Sequence, residues 1–282
     1  MKLLRATRIN LLRWVSDPKY PAVLLYMVLY MYQLIGNTSG YAQELGVKIH
    51  PWLFPFLLRN GVVICPLMLG FVLLISDAPF RNRQQQFVLL RTGKYTWMGG
   101  QILYLLLLSV VFTGLLYFLS VAYTLPETKI STEWGSFLTT IAVDGLPGKY
   151  GAVDASYAVI RNATPIEVTL WSATSLTLVC FFIGLVMLLC NLWTGKGIGT
   201  AIVSAMVIMP LLTQFFQYSP LVYRYLTWIT PMNWPDRSIM GYTGQNLPSY
   251  AYGIYMPFIL SLILVVIAMA TVHRCNLDTD KE

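Results

Sequence analysis

Between Gly99 and Tyr123 the chain reads GGQILYLLLLSVVFTGLLYFLSVAY, without a single charged side chain. A helix rises about 1.5 Å per residue, so roughly 20 apolar residues cover the ~30 Å hydrocarbon core of a bilayer. Five further stretches have the same character: Tyr20–Ile35, Asn60–Ile75, Val168–Trp193, Ile198–Phe216 and Tyr250–Val272. Only 11% of the residues are charged and 56% are hydrophobic. Soluble domains carry about 25% charged residues, so this composition cannot clothe a water-solvated surface of ordinary size. The sequence therefore reads as an all-α polytopic membrane protein with six transmembrane helices.

Charge then sets the expected orientation. The formal net charge is +7, but the cations are unevenly placed. With the amino terminus inside, residues 1–19, 76–98, 194–197 and 273–282 hold 12 of the 19 Lys and Arg. Cytoplasmic loops carry such an excess. The reading is a multi-pass protein of the cytoplasmic membrane with both termini inside. Because topology accounts for the charge, no nucleic-acid partner is expected. Cys65, Cys180 and Cys190 fall in apolar segments and Cys275 in the tail, so no disulfide framework is implied.

Residues 1–19 form an amphipathic interfacial segment, and residues 20–282 a single six-helix domain. At 100° per residue, Leu3, Leu4, Leu11, Trp14 and Val15 share one face. Lys2, Arg5 and Arg13 lie opposite, with Arg8 at the border. A helix of this kind lies in the interface beside anionic lipid headgroups. The cytoplasmic loop at 76–97, SDAPFRNRQQQFVLLRTGKYTW, is too apolar at Phe87–Leu90 for a plain solvated loop. Asp77 is suited to cap a helix there, Pro79 to its first turn and Gly93 to its end. The extracellular loop at 124–166 contains a candidate surface helix, STEWGSFLTTIAV, and then a glycine-rich stretch. The outer loop at 218–250 holds Tyr223, Tyr225, Trp228 and Trp234, and Pro231 and Pro235 break it. It reads as a short re-entrant helical hairpin between the fifth and sixth spans.

Much chemistry is excluded. The six apolar cores contain no Asp, Glu, Lys, Arg or His; Arg59 and Glu167 sit just outside them, where long side chains can snorkel. A charge at a helix centre costs about 2.5–3.5 kcal/mol on insertion scales, and ion-coupled carriers keep such groups to bind the coupling ion. The only histidines, His50 and His273, fall on opposite sides of the membrane, so no metal site is expected. No catalytic residues are assigned either. A phosphate-binding loop needs G-x-x-x-x-G-K-[ST], and neither Gly195-Lys196-Gly197 nor Gly148-Lys149-Tyr150 provides it. Uphill transport would need energy from another subunit.

The set of features resembles the membrane (permease) subunits of type-2 ATP-binding-cassette exporters, of the kind found in Gram-positive bacteria. The carrying motifs are SDAPFRNRQQQFVLLRTGKYTW with the following MGGQILY, and ITPMNW at Ile229–Trp234. The long loop after the third span departs from the family pattern. The resemblance implies ATP-binding-cassette ATPase subunits as partners, a second permease copy or a homologous permease beside this one, and membrane lipid around the pair. ATP and magnesium would be bound by the ATPase and no cofactor by this chain. It implies coupling to the ATPase through Asp77, Pro79, Phe80, Arg81, Arg83 and Gln86, and an elbow helix using Arg5, Arg8, Arg13 and Trp14. It also implies an outer gate at Trp228, Pro231, Trp234 and Pro235. Met206, Met209, Phe215 and Phe216 are candidates to line a substrate path, since flexible apolar side chains suit an amphipathic cargo. The expected function is export of a hydrophobic or amphipathic compound: a peptide, a drug or a lipid-linked molecule. The alternative is a membrane immunity or sensor protein that binds a peptide or lipid without moving it.

Overall fold

The computed structural model describes residues 7, 10–11, 13–44, 46–80, 93–125, 128–129, 131–144, 153–194, 197–241 and 246–272. Among them the fold is all-helical, with one isolated backbone bridge between Ile49 and Thr128. A short helix α1 (Arg13–Ser16) leads into α2 (Lys19–Glu44). The turn α3 (Phe54–Leu57) precedes α4 (Gly61–Ile75), and α5 (Lys94–Ala122) follows. Two short helices, α6 (Gly135–Asp144) and α7 (Tyr157–Asn162), come before α8 (Pro165–Thr194) and α9 (Ile198–Phe215). Then come α10 (Pro220–Ile229), a 3₁₀ turn (Pro231–Asn233) and α11 (Tyr252–Thr271).

Four of these helices, α5, α8, α9 and α11, are long and apolar enough to cross a membrane. The other two expected spans fall short for different reasons. Helix α4 is wholly apolar but has only 15 residues, about 22 Å at helical rise. Helix α2 has 26 residues but dilutes its apolar run with tyrosines and with Gln33, Asn37 and Ser39. Helices α5 and α8 begin earlier than their apolar cores, at Lys94 and Pro165.

Helix α8 is the centre of the bundle. Two-thirds of its most apolar window is buried, against 22% for α11, and it packs on α5, α9 and α11. Helix α9 packs in turn on α4, and α4 on α2. Gly61 lets α4 come close to α9: a Cβ there would sit 3.1 Å from both the Gln214 side chain and the Pro210 carbonyl carbon. A Cβ there would make these neighbours give by a few tenths of an ångström.

Prolines inside helices create a specific problem that the packing solves. Pro66, Pro210 and Pro257 lie within α4, α9 and α11. Each lacks an N–H, so the carbonyl four residues earlier loses its helical donor. In an apolar medium such a group must find a partner within the protein. For Pro66 the orphan is the Val62 carbonyl, and Tyr30 Oη donates to it at 3.2 Å. Tyr26 Oη donates one turn away, to the Pro66 carbonyl, also at 3.2 Å. For Pro257 the orphan is the Gly253 carbonyl, and Ser175 Oγ of α8 donates at 2.6 Å. A hydroxyl from a neighbouring helix thus replaces the missing backbone donor twice, joining α2 to α4 and α8 to α11.

The single-atom deletions Tyr30→Phe and Ser175→Ala should each lower stability by about 0.6 kcal/mol, the mean for interhelical hydrogen bonds within membranes. Thermal unfolding in detergent reads this as a lower midpoint. No shift in either variant would mean that the hydroxyls are bystanders.

Candidate functional site

Two ends of the bundle carry polar architecture. At the near end, where α2 begins and α4 ends, the loop after α4 is tied down from three sides. Lys19 Nζ donates to Asp77 Oδ2 and to Ser76 Oγ, both at 2.7 Å. Asn191 Nδ2, near the end of α8, donates to the Ser76 and Ala78 carbonyls at 3.3 and 2.7 Å. Gln101 Oε1 of α5 accepts from the Phe80 N–H at 3.2 Å. The Phe80 ring stands edge-on to Tyr104 at 4.7 Å. The same Tyr104 hydroxyl meets Trp14 Nε1 and Tyr20 Oη, each at 2.8 Å. The interfacial segment and the loop after α4 are therefore joined through one tyrosine.

This geometry revises several sequence expectations. Residues 76–80 form turns, and the Asp77 carboxylate is paired with Lys19 rather than capping a helix start there. Pro79 and Phe80 are buried in the chain's own core, so neither offers surface to a partner. Gly93 precedes the first turn of α5, with φ of 82°, a conformation that glycine adopts without a Cβ penalty; whatever comes before it at 81–92 lies outside the described residues. Arg81, Arg83 and Gln86 lie outside the described residues, as do Arg5, Arg8 and the Arg13 side chain. Trp14 is held by protein and half-buried, and Asn10 and Thr7, one and two turns before it, are buried. The polar members of that face carry no apolar signal, which is why they escape a hydropathy reading.

At the far end, the four residues expected at an outer gate are brought together. Trp234 is buried and its Nε1 donates to the Trp228 carbonyl at 3.2 Å. Tyr252 lies edge-on to both indoles, at 4.7 and 5.7 Å, and its hydroxyl also donates to the Trp228 carbonyl. Pro231 and Pro235 are buried with them. Helix α8 holds this cluster: Ser172 Oγ donates to the Pro235 carbonyl at 3.1 Å. Gly253 permits the closeness, since a Cβ there would lie 2.7 Å from the Trp171 ring and 2.8 Å from the Trp234 carbonyl oxygen. Arg237 completes the join, pairing with Glu167 at 2.8 Å and lying 3.5 Å from the centre of the Tyr250 ring. Glu167 therefore has a partner and does not merely snorkel.

The described parts of the loop at 124–166 are folded onto this end as a cap. Phe137, Leu138 and Ile141 of α6 are buried, so the expected surface helix forms and presses its apolar face inward. Trp52 Nε1 holds the Ser131 carbonyl at 2.9 Å, and Trp134 Nε1 the Ala163 carbonyl at 2.8 Å.

Beside the aromatic cluster lies a polar cavity of about 250 Å³ between the start of α4, the end of α9 and the segment after the 3₁₀ turn. Arg59 pairs with Asp154 across it at 2.8 Å. Asp236 is 4% exposed, and its Oδ1 accepts from the Ser238 N–H and Oγ at 2.8 and 2.6 Å. Asn233 Nδ2 donates to Thr213 Oγ1 at 2.8 Å, and Gln214 Nε2 to Asn60 Oδ1 at 3.1 Å. Burial pushes the Asp236 carboxyl above the usual range; the Ser238 hydrogen bonds and Arg59 oppose this, and Asp154 adds to it. Burial likewise raises the Asp154 carboxyl, against the pull of Arg59.

The four residues weighed for a substrate path lie away from this cavity. Met206 packs on the core, Phe215 points outward with 77% of its surface exposed, and Phe215 and Phe216 stand edge-on to each other. None of the four, Met209 included, lines this cavity. The cavity-facing residues of α9 are instead Pro210, Thr213 and Gln214, with Gln217 in the turn that follows. Their spacing along one helix face was visible in the sequence, but their polarity set them apart from the apolar residues weighed for a lining. Among the described residues no group of three His, Cys, Asp or Glu could hold a metal ion. No protein-family model, curated protein or solved structure matches the chain.

Because the folded state holds the Asp236 proton more tightly than the unfolded chain, this residue contributes stability that grows as pH falls through its raised pKa toward the unfolded value near 3.9. At neutral pH its burial is a cost. Asp236→Asn should therefore leave the midpoint at pH 7 unchanged or higher and flatten its rise on acidification, as followed by thermal unfolding from pH 7 to pH 4. A lower midpoint at pH 7 with an unchanged acid rise would contradict the assignment.

Proposed function

We propose that this chain is the permease subunit of an ATP-driven exporter of the ATP-binding-cassette type, moving a hydrophobic or amphipathic compound across the cytoplasmic membrane. In this reading six helices cross the membrane, α2 and α4 with the four that are long and apolar enough by themselves. Both termini lie in the cytoplasm. The near end faces a separate ATPase, which binds ATP and magnesium, and α10 with the 3₁₀ turn forms a re-entrant hairpin at the outer gate.

The observation that carries the reading is the way α8 is bonded at both ends. Asn191 grips the loop that would meet the ATPase, and Ser172 grips the aromatic cluster that would be the gate. The 19 residues between them correspond to about 28 Å of helix, the depth of the hydrocarbon core. A stiff helix fixed at both ends converts displacement of one end into displacement of the other, as coupled rigid-element transitions require. Phe80 and Asp77 act in this scheme as the loop's anchors to its own membrane domain, not as its contact surface. The apolar outer faces of α9 and α11, with Phe215, Leu262 and Val266 exposed, are available to lipid and to a second permease.

The test is purification of the tagged chain in mild detergent from cells expressing its native operon, with the bound chains identified by mass spectrometry. A stoichiometric ATPase of the ATP-binding-cassette type is the expected result. The chain recovered alone, even after crosslinking, would favour the sensor or immunity reading. Within the complex, Ser172→Ala should leave the ATPase bound yet reduce cargo transport several-fold, since it removes one hydrogen bond of about 1 kcal/mol at the gate. Unaltered transport by Ser172→Ala and Asn191→Ala alike would sever the proposed link through α8.

A further inference from the structure

The polar cavity at the far end has the wrong balance of groups to be filler. Its charged members are one cation, Arg59, and two carboxyls, Asp154 and Asp236. Arg59 makes its ion pair with Asp154 and reaches Asp236 only through its field, so the cavity holds one carboxyl more than it has cations. Beyond the Ser238 contacts at Oδ1, Asp236 Oδ2 has no partner among the described residues. Asn233 Oδ1, on a side chain that is 6% exposed, accepts no hydrogen bond, and Gln214 Oε1 accepts none either. Three residues that line the cavity thus each carry an oxygen acceptor with no hydrogen bond from the described residues.

We propose that this cavity binds a primary ammonium head group, with Asp236 as its counter-ion and the amide oxygens of Asn233 and Gln214 as further acceptors. An alkylammonium has three N–H donors and no acceptor, which complements three vacant oxygens. The volume of about 250 Å³ is several times the ~30 Å³ share of a water and below the ~300–1,000 Å³ of sites that enclose whole drug-sized molecules. It suits a head group whose tail stays outside. A quaternary ammonium is disfavoured, because such groups need an aromatic cage and Tyr223 is the only aromatic side chain lining the cavity. Ionising Asp236 in this buried place is costly on its own, and a bound cation would offset that cost. This inference stands whether or not an ATPase partner is found. The ammonium could come from an amphiphile arriving from water or from the ethanolamine head group of a lipid.

Gln217 lines the rim and is exposed, so a Gln217→Cys variant reports occupancy through its rate of modification by an impermeant maleimide, resolved from the native cysteines by peptide mass spectrometry. The full chain is placed in vesicles of phosphatidylglycerol and phosphatidylcholine. Dodecylamine should slow the modification and dodecyltrimethylammonium should not. Adding Asp236→Asn should weaken the protection about tenfold, the effect of losing one charge-assisted hydrogen bond. Replacing phosphatidylcholine by phosphatidylethanolamine forms the second arm: protection there assigns the site to a lipid head group, and protection by dodecylamine alone assigns it to an amine from solution. Equal protection by the primary and quaternary amines, or none by dodecylamine or phosphatidylethanolamine, would overturn the proposal. The contrast between the two amines uses an intact Asp236, so it decides the matter even if Asp236→Asn fails to insert.

Discussion

In an apolar medium every backbone polar group must be answered from within the protein, and the described structure is arranged around that requirement. Three helices contain an internal proline. Hydroxyls from Tyr30 and Ser175 meet two of the freed carbonyls, and those same contacts lock α2 to α4 and α8 to α11. Where the chain leaves helical geometry altogether, at the loop after α4 and at the turn around Pro235, the carbonyls are met by Asn191 and Ser172. Three of these four donors lie on or beside α8's buried faces, which is why that helix holds both ends of the bundle.

This placement connects packing to function. Helix α8 is the most enclosed of the four helices long enough to cross a membrane, so it cannot slide without disturbing α5, α9 and α11. Its polar contacts are not spread along its length but sit at the two levels where irregular backbone occurs. A movement imposed on the near-end loop therefore has one stiff route to the far end. The Tyr104 junction adds the interfacial segment to that route, since Trp14, Tyr20 and Phe80 all meet the same side chain.

The apolar runs of α5, α8, α9 and α11 were legible in the sequence, because length and hydropathy are sufficient to define them. The aromatic cluster at Trp228 and Trp234 was legible too, since tryptophans and prolines packed that densely do not suit a solvated loop. What stayed hidden depended on tertiary pairing. Asn191 is one polar residue near the end of a span, and nothing local marks it as the clasp of a distant loop. Phe80 belongs to a segment that reads as exposed, but its ring finds Tyr104. Arg59 and Asp154 are 95 residues apart, and Asp236 enters the same cavity from a third segment. Apolar residues drew attention as a lining for α9, whereas the cavity is built from that helix's polar positions.

The central claim is mechanical: displacement of the near-end loop reaches the far end through α8. Spin labels at Tyr225→Cys in α10 and Val143→Cys in α6, both exposed positions, would report the separation of gate and cap by pulsed electron resonance. The native cysteines would be replaced and the chain purified in the proposed complex with an ATPase. The account predicts that trapping the ATPase with nucleotide shifts this distance distribution and that Asn191→Ala abolishes the shift while ATP is still bound. A distribution that does not move on trapping, or that moves equally in Asn191→Ala, would contradict it.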